Sequence, residues 1–233
     1  MARQARLFIP DCPVLVELQG VGGLEVFRNR ETFEAFHDRL PLSAAEEGVK
    51  VYSYCLVTNR VLMLLGVSQA NQTGRFIQNL NRHFIAQYRQ LNPGVAGCVW
   101  EPRFKSTVVQ PGVRSLKACL FVEFQVTYAG LNVSPGLYPW SSHRVHTGLS
   151  HEPWLSDLPS YWQLGNTPFE REAAYVRFAE QGLPHKDRLE LTECLQKGWL
   201  WAEGFFADSV EPLANRAVRP RSRGRKKLPR LHK

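Results

Sequence analysis

At 233 residues, 44% hydrophobic and 21% charged, the chain is long enough for one domain with an extension or for two small domains, and too apolar to remain unfolded. No apolar run approaches the roughly 20 residues of a membrane-spanning helix, and the start, MARQARLFIPDCPVLVEL, has neither the apolar core nor the small-residue cleavage site of a secretory signal. The net charge of +8 is concentrated at one end: residues 216–233 hold nine Lys and Arg and no acid, which excludes a uniformly basic domain and leaves a near-neutral body with a basic arm.

PVLVELQG (13–20) reads as a strand ending at a glycine. NRETFEAFHDRL (29–40) places Phe33, Phe36 and Leu40 at helical spacing. VKVYSYCLVTN (49–59) and VLMLLGV (61–67) read as two strands joined by a turn containing Asn59. In 71–92, Phe76, Leu80, Phe84 and Tyr88 recur every fourth residue, which predicts a strong helix stopped at Pro93-Gly94. GCVWEPRFKSTVVQ (97–110) is strand-like with Pro102 interrupting it, and 113–130 reads as a helix ending at Gly130. This β-α-β-β-α-β-α order is a ferredoxin-like α+β pattern with an added helix. A turn-rich linker follows. Thr167-Pro168-Phe169-Glu170 then forms a capping box that starts a helix over about 168–181, with another over 186–197. Residues 216–233 have too few apolar side chains to bury a core. The five cysteines, Cys12, Cys55, Cys98, Cys119 and Cys194, are odd in number and widely spaced, which argues for reduced thiols in the cytosol rather than a disulfide framework or a zinc knuckle.

Four stretches carry a family likeness: ARLFIPDCPVLVELQG (5–20), VWEPRFKS (99–106), YPWSSHRVH (138–146) and KGWLWAEGFF (197–206), the last followed by the basic terminus. In this order they resemble the REP-associated tyrosine transposases and related single-tyrosine HUH transposases of bacteria. The likeness covers nearly the whole chain, and WEPRFKS and YPWSS are its most specific pieces. It implies a ferredoxin-like HUH transposase core (an antiparallel sheet with helices on one face) over 1–148, a small helical C-terminal extension over 149–215 and a basic tail over 216–233.

The same resemblance marks what this chain lacks. The family's opening strand usually carries paired histidines where Val14 and Leu15 stand here. A later family strand, ending Asn-His-x-His-Leu-Leu, supplies two ligands to a Mg²⁺ or Mn²⁺ ion that polarises the scissile phosphate. Here Asn59 is kept, but the ligand positions are Arg60 and Leu62. Leucine has no donor atom, and arginine is a permanent cation that repels a metal ion. The family's nucleophilic tyrosine aligns with Phe121 in LFVEFQVTYAG (120–130), which keeps the ring and loses the hydroxyl. Gln125, one helical turn on, offers a single amide oxygen, a poor hold on a divalent ion. Tyr128 lies seven residues on along the same helix, roughly 10 Å further up its axis and too far to share the site. No catalytic residue and no metal or other cofactor is therefore expected.

Binding needs less than chemistry. Arg75, Arg82 and Arg89 recur every seven residues and form one stripe, which suits either a solvated face or a row tracking phosphates. Trp100, Arg103, Phe104 and Lys105 interleave rings and cations, a pattern for stacking on bases and contacting backbone, or for simple in–out alternation. Arg60, where a metal once faced a phosphate, is a candidate to bind phosphate itself. In the tail, Arg221, Arg223, Arg225, Lys226 and Lys227 are candidates for polyanion contacts. The reading is a transposase-like DNA-binding protein, cytoplasmic and nucleoid-associated, recognising hairpin or single-stranded DNA without cleaving it. The alternatives are an active transposase with non-standard residues, an RNA-binding module, and an interaction protein with a solubilising tail. Oligomeric state is left open.

Overall fold

The expected β-α-β-β-α-β-α order is present in the computed structural model, which describes residues 5–220. β1 (Val14–Gln19), β2 (Lys50–Val57), β3 (Arg60–Gly66) and β4 (Lys105–Val108) form one sheet in the order β2-β3-β1-β4, with each neighbouring pair antiparallel. α1 (Arg30–Glu47) connects β1 to β2, and α2 (Gln72–Leu91) connects β3 to β4, the split βαβ arrangement of a ferredoxin-like sheet. Val57 pairs with Arg60 across the two-residue turn Thr58-Asn59.

Register assigns the faces. Val16 pairs with Met63 and Leu18 with Val61, and these side chains meet Phe36 and Leu40 of α1 and Phe76, Leu80 and Phe84 of α2 in one buried cluster. The four-residue spacing read in α2 is that helix's buried stripe. On the opposite face, Leu15 pairs with Leu64, Glu17 with Leu62 and Gln19 with Arg60. That face is not bare. It is covered by α3 (Val113–Glu123) and α4 (Gln125–Tyr128), and by the helices that follow α5 (His143–His146) and α6 (Pro159–Trp162): α7 (Pro168–Gln181) and α8 (His185–Lys197). Leu62, Phe121, Tyr175, Leu191 and Leu195 share this second cluster. The chain ends its described part with α9 (Gly204–Val210).

Three boundaries differ from the sequence reading. α1 runs through Pro41 to Glu47 and stops at Gly48, whose φ of 64° lies in the left-handed region that favours glycine; the buried Leu40 and Ala44 hold the turn beyond the proline to the core. Of 97–110, only Lys105–Val108 pairs as β4; Trp100 makes an isolated bridge to Gly20, and Pro102 has no N–H to continue a ladder. The helix over 113–130 is broken at Phe124 into α3 and α4. The glycine closing β1 is fixed by crowding: a Cβ at Gly20 would sit 2.2 Å from the Leu24 carbonyl oxygen.

Both edges of the sheet are closed by the motifs that carry the family likeness. Outside β2, Leu56 N donates to Trp140 O (2.9 Å) and Ser142 N donates to Tyr54 O (3.0 Å), so YPWSS lies along the edge. Trp140 stacks on Phe33 with ring centroids 5.1 Å apart. Outside β4, Trp201 N donates to Val108 O (2.9 Å) and Gln110 N donates to Trp201 O (3.1 Å). The segment GWLW is held in turn by Val218, whose carbonyl accepts from Leu200 N (2.9 Å).

Candidate nucleic-acid interface

Arg60 and Leu62 of β3, Phe121 of α3 and Gln125 of α4 line one cleft of about 230 Å³. Residues about 60 positions apart in sequence thus line one cleft. Glu17 of β1, Tyr128 of α4, and Arg188, Thr192 and Gln196 of α8 line it with them. α8 is anchored there by the Lys117–Asp187 ion pair (2.6 Å) and by Arg188, whose guanidinium carbon is 4.9 Å from the Tyr128 ring centroid.

The donor set in this cleft does not fit a divalent ion. Leu62 offers no ligand, and Gln125, whose amide nitrogen donates to the Phe121 carbonyl (2.9 Å), offers only one neutral amide oxygen, a poor hold on a divalent ion. The one carboxylate, Glu17, is 5% exposed and faces two cations: Lys105 Nζ at 3.1 Å and Arg60 at 3.8 Å. A metal ion here would confront fixed positive charge rather than replace it. Arg60 lines the cleft, and its charged partner there is the protein's own Glu17.

Tyr128 is closer to the cleft than the sequence reading places it. Its ring centroid lies 6.0 Å from that of Phe121, and both side chains line the same cleft. Burial raises the phenol pKa, and the neighbouring Arg188 opposes that shift.

The other candidates separate into distinct places. Arg103 and Lys105 line a second cavity of about 280 Å³ together with Arg6, Lys197 and Arg216; Leu195 and Gln196 belong to the walls of both cavities. Arg75, Arg82 and Arg89 do lie along α2, but on the side of the sheet away from the cleft, where Arg75 pairs with Glu47 (3.1 Å) and Arg89 donates to Gly97 O (3.3 Å). Trp100 requires a correction. It is only 6% exposed and packs among Phe27, Phe36 and Phe84, so it cannot stack on a base. The bulk and apolarity that suggested stacking serve the core instead. Arg221, Arg223, Arg225, Lys226 and Lys227 lie outside the described residues.

A polar cluster that the sequence reading did not single out sits behind the cleft, under α3. Glu123, fully buried, accepts from Ser142 Oγ (2.8 Å) and Tyr175 OH (2.8 Å) and pairs with His143 Nδ1 (3.0 Å) and His146 Nδ1 (2.5 Å). Cys119 Sγ lies 3.6 Å from the same carboxylate and 3.7 Å from His146. Burial works against the Glu123 anion, but the two histidines outweigh it and hold the carboxyl well below the usual carboxylate range. Burial likewise works against a charged His146; Cys119 and Glu123 outweigh it and raise its pKa well above the ordinary value. The pair is an ionic clamp joining α3, α5 and α7. A charged residue inside the apolar run LFVEF, and histidines three apart in HRVH, were the available signals.

No family model matches the chain, and no curated protein matches it. Among solved structures, it is similar to a REP-associated tyrosine transposase bound to a REP hairpin, at 9% identity and a TM-score of 0.51, over 69% of this chain and 93% of that one. A weaker similarity, with a TM-score of 0.38 and 14% identity, is to a candidate transposase of Deinococcus radiodurans R1, over 57% of this chain and 100% of that one. The first likeness shows a shared α+β fold.

Proposed function

We propose that this protein binds hairpin or single-stranded DNA through the cleft face of its sheet and does not cut it. The observation that carries this reading is the convergence of Arg60, Leu62, Phe121 and Gln125 in one cleft of a transposase-core fold. The cleft keeps cations suited to phosphate (Arg60, Arg188, with Lys105 beside them) and lacks both the metal donors and the hydroxyl at position 121 that strand transfer by the family's route requires. Such a protein acts at the nucleoid, in the cytoplasm.

The test is incubation with labelled REP-like hairpin DNA and Mg²⁺ or Mn²⁺, run on native and denaturing gels. The expected result is a saturable shift with no covalent adduct and no nicked strand. A preference for the matched RNA hairpin would move the reading to RNA, and the lack of any saturable shift would overturn it.

One observation favours a second reading, strand cleavage by an unorthodox residue: Tyr128 beside Phe121 and Arg188. In that case the Tyr128 phenolic oxygen bonds to phosphorus, the bond from phosphorus to a sugar oxygen breaks, and the phenolic proton goes to the departing hydroxyl. An adduct on the denaturing gel that disappears in Tyr128→Phe would establish it.

A further inference from the structure

The cavity between β4 and the end of α8 is lined by five cations, Arg6, Arg103, Lys105, Lys197 and Arg216; among the described residues no acidic side chain lines it, though Glu17 and Glu193, outside it, pair with Lys105 (3.1 Å) and Lys197 (2.5 Å). The five cations come from the start of the chain, the arm leading into β4, the last residue of α8 and the segment after α9, so no local sequence pattern announces them. Arg216 is held in place by donating to the Gly198 and Ala217 carbonyls, while its Nε is buried without a hydrogen-bond partner. Burial first, and then the charge of Arg103, press its guanidinium pKa below the ordinary value. A second guanidinium beside the desolvated Arg216 donor is an unfavourable arrangement that a bound anion relieves.

This cavity adjoins the Phe121–Tyr128 cleft, because Leu195 and Gln196 line both. One side of the shared wall offers cations and the other offers the half-buried ring of Tyr128. We propose that the two cavities are one groove for a single nucleic-acid strand, with a backbone phosphate seated among Arg103, Lys105, Lys197 and Arg216 and the adjoining base against the half-buried Tyr128. The assignment rests on the nucleic-acid reading above and adds to it the path of the strand: over α8, and not along the arginine stripe of α2.

The test is fluorescence anisotropy of the full chain with labelled single-stranded and hairpin DNA over a range of salt. R103Q/K197Q is expected to weaken binding at least tenfold and to flatten the plot of log affinity against log salt by about 1.4, at about 0.7 per single-strand phosphate contact. Tyr128→Ala is expected to cost about fivefold or more through lost stacking. R75Q/R82Q on α2 is expected to bind like the parent. Melting temperatures of all variants verify folding; Lys197 is exposed and spares the structural contacts of Arg216. Parent-like binding by R103Q/K197Q, or an equal loss in R75Q/R82Q, overturns the groove while leaving DNA binding intact. Displacement of the strand by inorganic phosphate at low concentration and fixed ionic strength also overturns it, since the cavity would then be a free-anion site. A parent that binds neither DNA sinks the functional reading itself.

Discussion

Glu123 is the residue on which the far face of the sheet depends most. Its carboxylate has no solvent to fall back on, and its partners come from α5 and α7 as well as from Cys119 on its own helix. Its depressed pKa means that its contribution is present above the unfolded carboxylate value, about 4.3, and is lost as pH falls below it. His146 runs the other way: its raised pKa gives stability that is full below about 6.5 and is lost as pH rises through the folded value. Thermal melts are therefore expected to peak between these limits. Glu123→Gln strands a buried imidazolium and is expected to cost about 3–5 kcal/mol at neutral pH. The variant should regain part of that loss as pH rises and the lone histidine sheds its proton. A variant as stable as the parent, with the same pH profile, would refute the clamp. At position 121, the expectation concerns chemistry. Phe121→Tyr restores a hydroxyl but neither ligand, because Arg60 and Leu62 remain. No covalent DNA adduct should appear on a denaturing gel with Mg²⁺ or Mn²⁺ present.

The long periodic elements were legible in the sequence because their packing repeats. α2 shows its buried face every fourth residue, and α7 has a start signal in which Thr167 Oγ1 accepts from Glu170 N (3.2 Å) while Glu170 Oε2 accepts from Thr167 N (3.1 Å). Thr167→Ala should cost about 1 kcal/mol, read as a lower Tm, since one of the first N–H groups of α7 loses its acceptor. What was not legible is set by contacts distant in sequence. Nothing in LFVEFQVTYAG marks a break, as it holds no proline and its only glycine is at the end. The helix is nonetheless interrupted at Phe124, and the Tyr128 ring lies beside Phe121 rather than apart from it. Trp100 failed for a related reason: an aromatic beside cations looks alike whether it faces solvent or the core, and only Phe27 and Phe84 decide between them.

Across the whole molecule, the charge is asymmetric and the sheet has two different sides. Residues 221–233 contribute seven Lys and Arg directly after the segment that carries Arg216. Removing them should flatten the salt dependence of single-strand binding by at most about 5, at 0.7 per contact. An unchanged slope would show that these cations touch no phosphate. The division expected at residues 148 and 215 becomes, in light of the packing, a proposal about sequence organisation rather than independent folding. Leu191, Leu195 and Trp201 lie in the same cluster as Leu15 and Leu62 of the sheet.

The strip from Trp199 to Trp201 has a consequence for any shortened form of the protein. It gives the outermost strand its only backbone partners on that flank among the described residues, through Val108 and Gln110. A chain stopped at residue 148 would bare a row of unpaired amides and carbonyls next to uncovered leucines, the kind of template on which polypeptides stack into aggregates. Light scattering of that fragment should report large self-associated particles, and a monodisperse monomer would mean that the strip is ornamental.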